Sequence, residues 1–337
     1  MKLAVRINKK LAGKTIKLIE KYNLRDKSRR IISKENFVEI PIKDCENIRE
    51  LLKGYEIVVQ EKPVYSKSKT IEEAIQKYLP EEEFKKIRHI LPRTYKVLGN
   101  IVLVKIPEEL KDYSNLIGKA LLEINTHCKS VWWDKGKRGQ LRKPEVELIA
   151  GRGGETIHRE GNCIYKFDVS KVMFSPGNQA ERIRMGKIVK KEVVIDMFAG
   201  IGYFTIPMAK KAKRVYAIEI NPDSYHYLLE NIKLNEVECV IPILGDSMYV
   251  TPENVADRVV MGHINCHKFL PVAINALKDR GWIHYHESVP EAVIERPIRR
   301  VISAVKKAGK NVTIGCIRKV KNYSPGVLHV VVDAYVY

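Results

Sequence analysis

The chain has 337 residues, too many for one ordinary core, so two or three domains of roughly 100–200 residues are expected. Its apolar share of 45% is ordinary for a globular protein, but 60 basic against 40 acidic side chains leave a net charge of +20, which points to a polyanionic partner, nucleic acid before all others. No apolar run reaches the ~18 residues of a membrane span and the start of the chain is charged, so neither a span nor a signal peptide is expected.

The six cysteines (Cys45, Cys128, Cys163, Cys239, Cys266, Cys316) form no C-x-x-C pair. That argues against a zinc ribbon or an iron–sulfur cluster and fits free thiols in a reducing cytoplasm.

In chain order, residues 1–62 read as a small α/β module with a possible nucleic-acid contact. A strand over 3–7 leads into an amphipathic helix with Leu11, Ile16, Ile19 and Tyr22 inward, and a second strand covers 37–42. The basic run 25–30 reads equally as a solvated turn or an RNA-touching loop. A polar linker over 61–69 leads to a middle α/β region, 63–180, expected to bind RNA. There Thr70-Ile-Glu-Glu73 opens a helix by a capping box, Leu79-Pro80 breaks it, and Glu81 restarts it.

A strand over 95–106 and a helix over 107–125 follow. Ser130-Val-Trp-Trp-Asp134 then runs into Lys135-Gly-Lys-Arg-Gly-Gln-Leu-Arg-Lys143, the most basic short segment. Glycines make such a loop pliable and its cations suit phosphate, so Lys135, Lys137, Arg138 and Arg142 are RNA-binding candidates, against the plainer reading of a solvated hairpin. Strands are expected over 145–150, 155–159 and 163–169, and Arg159 joins the RNA candidates.

The segment Lys171-Val-Met-Phe-Ser-Pro-Gly-Asn-Gln-Ala-Glu-Arg-Ile-Arg184 places a turn at Ser175-Pro176-Gly177 ahead of a helix. It reads either as a plain linker into a catalytic domain, 181–337, or as a loop folded over a small molecule. In the second reading the Ser175 hydroxyl and Arg182 guanidinium face a carboxylate or an RNA phosphate.

Next, Glu192-Val-Val-Ile-Asp-Met-Phe-Ala-Gly-Ile-Gly-Tyr-Phe204 reads as strand, glycine turn and helix, the opening of a nucleotide-binding βαβ unit. A second strand closes on Glu219, where such units place a carboxylate for two ribose hydroxyls. Asn221-Pro222 starts a helix, and a third strand over 239–244 ends in Gly245-Asp246-Ser247. Three successive strand ends carrying Asp196, Glu219 and Asp246 make a nucleoside site.

This set resembles the class I S-adenosylmethionine-dependent methyltransferase fold: an acid precedes the glycines, and no third glycine follows Gly202 at the dehydrogenase spacing. The fold class expected is therefore α/β, a Rossmann-like S-adenosylmethionine-binding domain preceded by smaller α/β domains. The resemblance implies S-adenosyl-L-methionine as group donor. Glu219 and Ile220 would lie at the ribose and Asp246 at the adenine amino group with Ser247 beside it. Asp196, Ala199, Gly200 and Gly202 would face the methionine end.

Further motifs are Thr156-Ile-His-Arg-Glu160, Lys166-Phe-Asp-Val169, Met173-Phe-Ser-Pro-Gly-Asn-Gln-Ala-Glu-Arg182 and Lys321-Asn-Tyr-Ser-Pro-Gly-Val-Leu-His-Val-Val-Val-Asp333. Together they resemble the tRNA-modifying family of the wyosine pathway, which holds the guanosine-37 N1-methyltransferases and the aminocarboxypropyl transferases of wybutosine synthesis. The methyltransferases carry Asn-Leu-Pro after the fourth strand, where this chain has Gly262-His-Ile-Asn-Cys-His267. That departure, with Met173 to Asn178 and Gly281 to Glu287, favours aminocarboxypropyl transfer to carbon-7 of 4-demethylwyosine at position 37 of tRNA(Phe).

The partner expected is tRNA at its anticodon loop, with the protein a monomer. Ser175, Arg182 and His263 are the candidates for positioning the methionine arm. Glu181 matches a proposed proton acceptor of the methyltransferases but also suits a helix start for electrostatic reasons. His263 and His267 lack an evident third ligand, so no metal is expected, and His284 and His286 share one strand face. The same-family methyltransferases, and an RNA-binding protein with a vestigial pocket, remain the alternatives.

Overall fold

The computed structural model describes residues 2–45, 48–65, 70–139 and 143–337, and the chain divides into two compact units, Met1–Thr70 and Ile71–Tyr337. The first unit is an antiparallel sheet in the order Ile32–Ser33, Phe37–Pro41, Leu3–Asn8, Glu56–Val59, with the helix Ala12–Lys21 laid on it through Ile19. Leu11 and Tyr22, expected inward, are 48% and 47% exposed. Leu11 closes a separate 3-10 turn and Tyr22 lies past the last helical residue, so neither keeps the helix phase; Thr15 takes an inward position instead.

The basic run is also tied down. Arg29 is buried and donates to the carbonyls of Leu3 and Ile42, both at 2.9 Å, while Arg25 donates to the Pro41 carbonyl at 2.8 Å. These two arginines satisfy backbone carbonyls of the sheet, so the RNA-loop reading does not hold for them.

The second unit begins with a four-stranded sheet in the order Tyr95–Leu98, Ile101–Val104, Ser130–Arg138, Lys143–Gly151, covered by the helices Ile71–Ile75, Glu81–Ile87 and Ser114–Ile124. The single strand expected over 95–106 is a hairpin folded at Gly99, whose φ is +57°. A Cβ there would stand 2.3 Å from the Ile157 carbonyl oxygen, so the crossing strand Glu155–Glu160 admits only glycine. Lys135, Lys137 and Arg138 lie on the strand Ser130–Arg138 and not in a loop, because its ladder with Lys143–Gly151 continues to Arg138 paired with Lys143. Arg142 lies outside the described residues, as does part of the expected linker.

After a separate two-stranded sheet, Glu155–Glu160 with Cys163–Asp168, the chain forms a Rossmann-like sheet, as the expected fold class requires. Seven strands run in the order Val240–Leu244, Arg214–Glu219, Val193–Asp196, Ala256–Met261, Leu277–Pro290, Val327–Val336, Val312–Ser324; the first five are parallel and the last two antiparallel. Successive residues of the central strand feed opposite cores, as strand geometry requires. Val194 packs with Tyr227 and Leu228, and Ile195 with Leu270, Ile274 and Val301. Both faces are covered by helices, and the carboxyl edge is left for chemistry.

Candidate active site at the carboxyl edge of the parallel sheet

The strand Val193–Asp196 delivers a tight turn to that edge. Met197 N–H donates to the Val260 carbonyl at 3.0 Å and Ala199 N–H to the Ile218 carbonyl at 2.9 Å, which pins the turn between two neighbouring strands. Gly200 and Gly202 adopt φ of +58° and +99°, and a Cβ would stand 2.4 Å from the Tyr203 ring at the first and 2.8 Å from Ile206 at the second. Both positions demand glycine.

Glu219 spans the mouth of the turn. Its carboxylate accepts the Gly200 N–H at 2.7 Å and the Asn221 N–H at 2.8 Å, and burial pushes its carboxyl above the usual range against those bonds. Ile220 beside it is 46% exposed. Gly245 N–H donates to the Glu219 carbonyl at 2.9 Å, which places Asp246 next to this pair. Asp246 accepts the Met248 N–H at 2.9 Å and remains half-buried. Two carboxylates flanking an open apolar side chain suit a nucleoside: polar hydroxyls and amines for the acids, a flat base for the isoleucine.

Asp196 and Ser247 do not join that surface. Asp196 is wholly buried and accepts the Thr205 hydroxyl at 2.7 Å and the Phe198 N–H at 3.4 Å, with its carboxyl pushed up to about 6 by burial. It closes the turn from the inside, because the strand register aims it at the helix start. Ser247 is 3% exposed and donates to the Met197 carbonyl.

The segment from Met173 to Asn178 straps across the turn. Tyr203 donates its hydroxyl to the Met173 carbonyl, and the buried Phe174 ring packs at 5.6 Å from Tyr203 and stacks at 5.1 Å on Phe167. Arg182 forks onto Glu160 at 2.8 and 2.6 Å and donates to the Ser175 carbonyl at 3.0 Å. Burial works against the Glu160 charge, but its bonds from His158 and Arg182 hold its carboxyl below the usual range.

Arg182, expected to meet a ligand carboxylate, is thus 3% exposed and already matched by a bidentate partner. It positions the strap. The Ser175 hydroxyl accepts from Lys321 Nζ at 2.7 Å. Asn178 Oδ1 is buried without a hydrogen-bond partner.

The strap continues into the helix Gln179–Ile188, where Glu181 is 3% exposed and bound by Arg184 at 2.6 and 2.9 Å. Arg184 also forks onto Asp333 at 2.8 and 3.0 Å, and Asp333 accepts His284 Nδ1 at 2.5 Å. Arg258 Nη1 donates to His284 Nε2, so the imidazole is neutral and carries its proton on Nδ1.

His263 follows the fourth strand and sits with its ring 5.5 Å from that of Phe198, at the glycine turn. Before it, a Cβ at Gly262 would stand 2.8 Å from the Phe204 ring. No metal-binding group exists among the described residues.

Among the RNA candidates, Lys135 lies 4.4 Å over the Trp133 ring and pairs with Glu147, and Arg138 pairs with Glu145 at 2.9 Å. Lys137 is exposed on the same strand. Arg159 is exposed and lines a cavity of about 650 Å³ with Lys129, Asn100 and His158.

Three family models match the chain. Residues 156–314 match the TRM5/TYW2 methyltransferase domain, 71–154 the TYW2 N-terminal domain, and 4–53 the tRNA methyltransferase 5 N-terminal domain. A tRNA(Phe) (4-demethylwyosine(37)-C(7)) aminocarboxypropyltransferase of Methanocaldococcus jannaschii is 48% identical over 71% of this chain and 96% of its own length.

The chain belongs to the TRM5/TYW2 family.

A tRNA (guanine(37)-N(1))-methyltransferase Trm5b of Pyrococcus abyssi is 39% identical over 91% of each chain. The crystal structure of Pyrococcus horikoshii TYW2 in complex with MeSAdo superposes with a TM-score of 0.70 at 37% identity, over 79% of this chain and 98% of that one. Sequence reasoning missed Glu160, Tyr203 and Lys321 as parts of the site. For Lys321 a signal was present, since it opens one of the motifs that carry the family resemblance.

Proposed function

We propose that the protein transfers the 3-amino-3-carboxypropyl group of S-adenosyl-L-methionine to carbon-7 of 4-demethylwyosine at position 37 of tRNA(Phe), acting as a cytoplasmic monomer on the anticodon loop. The transfer forms a bond from carbon-7 to the γ-carbon of the methionine arm. It breaks the bond from that carbon to sulfur, leaves the electron pair on sulfur as neutral 5′-methylthioadenosine, and gives up the carbon-7 proton.

The residues present fit this donor. Glu219 takes the ribose and Asp246 the adenine amino group, with Ile220 against the base. The backbone of Ala199, Gly200 and Gly202 lies at the sulfur end, in a turn that the two glycines allow to close over Tyr203 and Ile206. Ser175 meets the methionine arm, Arg182 holds the strap that carries it, and His263 faces the acceptor base from the loop after the fourth strand. Asp196 and Ser247 support the turn from behind. Residues 1–62 and 63–180, with Lys135, Lys137, Arg138, Arg142 and Arg159, engage the tRNA, while 181–337 carry out the transfer. Positioning decides which carbon reacts, because all three carbons on a sulfonium are electrophilic.

The observation that carries this reading over methyl transfer is Gly262 against the Phe204 ring. A side chain there, such as the amide expected in the methyltransferases, would run into a buried aromatic. Methylation at position 37 is kept as a second reading by the 91% coverage of the Trm5b relative, which extends through the amino-terminal module.

The test is to incubate the protein with tRNA bearing 4-demethylwyosine and donor labelled in its carboxyl carbon, then separate the nucleosides. Label in the tRNA with release of methylthioadenosine is expected. Unlabelled tRNA with accumulating S-adenosylhomocysteine would establish methylation instead.

A further inference from the structure

We infer that the cavity of about 650 Å³ beside Arg159 is a nucleotide pocket, which takes one unpaired nucleotide of the RNA with its base inside and its phosphate on Arg159 and Lys129. The inference rests on the reading above that the partner is tRNA, and adds to it a place where a base leaves the stack. The cavity lies where two matched domains meet: Val97, Asn100 and Lys129 belong to residues 71–154, and Thr156 to Arg159 belong to residues 156–314. Ligand sites favour such seams.

Its lining divides into the three parts that a nucleotide needs. Ile157 is 50% exposed and, with the half-buried Val97, gives an apolar wall for the face of a base. Asn100 donates its N–H to Thr156 Oγ1 at 3.2 Å, and its Oδ1 lies 2.9 Å from the same hydroxyl, so its amide is fixed in place to meet a base edge. Arg159 follows Ile157 by two residues on the strand Glu155–Glu160 and so shares its face, and with the exposed Lys129 it supplies charge for a phosphate. The one acid of the lining, Glu155, pairs with Lys166 at 3.4 Å, which moderates its repulsion of an anion.

Backbone bonds hold this shape. Lys129 N–H donates to the Asn100 carbonyl at 2.8 Å, and Arg152 N–H donates to the Lys129 carbonyl at 3.1 Å. His158 Nδ1 accepts the Gly99 N–H at 3.2 Å, which leaves the ring proton on Nε2, 3.7 Å from Glu160. The same ring packs at 4.9 Å on Phe174 of the strap, and Glu160 carries the Arg182 fork. A nucleotide seated against His158 is thus one side chain away from the strap that crosses the donor turn.

A duplex cannot use such a site. Its bases are paired and stacked, whereas a concave site with one apolar wall accepts a base only after it has left the stack, which a loop allows at the least cost. Phosphates repeat along any strand, so cations alone hold an RNA in many registers. A pocket for one base selects a single register and thereby sets the loop against the strap.

The experiment compares two strands that differ only in their bases. A uridine octamer and an octamer of abasic ribose phosphates would be titrated onto the full chain and its Ile157→Ala and Arg159→Ala variants, with S-adenosylhomocysteine filling the donor site, between about 50 and 200 mM salt. Ile157→Ala should weaken the uridine octamer about threefold to tenfold with an unchanged salt slope, and leave the abasic strand within about twofold. Arg159→Ala should weaken both strands and make both slopes shallower by about 0.7, the loss of one phosphate contact on a single strand. An equal effect of Ile157→Ala on both strands would make that residue merely structural, no effect on either would mean that no base enters, and an unchanged slope for Arg159→Ala would place the phosphate elsewhere; each of these overturns the inference. No turnover enters these titrations, so the pocket can fail while the labelling experiment succeeds, and the reverse.

Discussion

At Gly200 one hydrogen atom in place of a methyl group holds the site together. Its φ of +58° costs an L residue roughly 1–2 kcal/mol, and the Tyr203 ring lies where a Cβ would be. Gly200→Ala should therefore lower stability by about 2 kcal/mol and also weaken the donor, because Tyr203 can no longer hold the Met173 carbonyl. Urea denaturation and donor titration check this, and a variant that matches the parent in both would show that the turn tolerates a side chain. The glycines were legible in the sequence because only a few residue types permit such a turn. Arg182 was not: its partner Glu160 lies 22 residues away on another strand, and a guanidinium buried in a fork reads in a sequence like one facing a ligand.

Among the elements, the strands Leu277–Pro290 and Val327–Val336 bury a row of histidines between them. His286 is wholly buried, bonded through Nδ1 to His329 Nε2 at 3.0 Å, and held at about 3 by burial, with His284 and Arg184 also opposing its charge. An unfolded histidine takes up its proton near pH 6.5, while the folded one refuses it until about 3. The unfolded state thus binds more protons across that window, and stability falls as pH falls, by about 1.4 kcal/mol per pH unit from this group.

Asp196 acts with the opposite sign. Its folded value of about 6 lies above the unfolded 3.8, so acidification between those values stabilises. A wild-type profile alone mixes the two effects, whereas a variant isolates one. Relative to wild type, His286→Gln should gain about 2 kcal/mol on going from pH 6.5 to pH 5, by chemical denaturation at each pH. A difference that does not change with pH would mean that His286 is not held neutral. The alternation of His284 and His286 disclosed their shared face, since strands repeat every two residues. Their partners could not be read, because Asp333 lies 49 residues beyond His284.

Over the whole molecule, the net charge of +20 indicated a polyanion from the start, and the family's tRNA substrates agree. Which cations engage it depends on neighbours that no charge count contains. Lys135 and Arg138 face Glu147 and Glu145 across a strand pair, so part of their attraction for phosphate is offset. Arg159 instead stands exposed on the rim of the cavity it shares with Lys129. Each phosphate neutralised releases about one counterion, which appears in the slope of log affinity against log salt. Arg159→Ala should therefore weaken tRNA and make that slope shallower by about 1 in filter binding between about 50 and 200 mM salt. Glu147→Gln should act the other way, tightening tRNA by freeing Lys135. If Arg159→Ala keeps the parental slope while Glu147→Gln tightens binding, the phosphate path runs along the strand Ser130–Arg138 and bypasses the cavity.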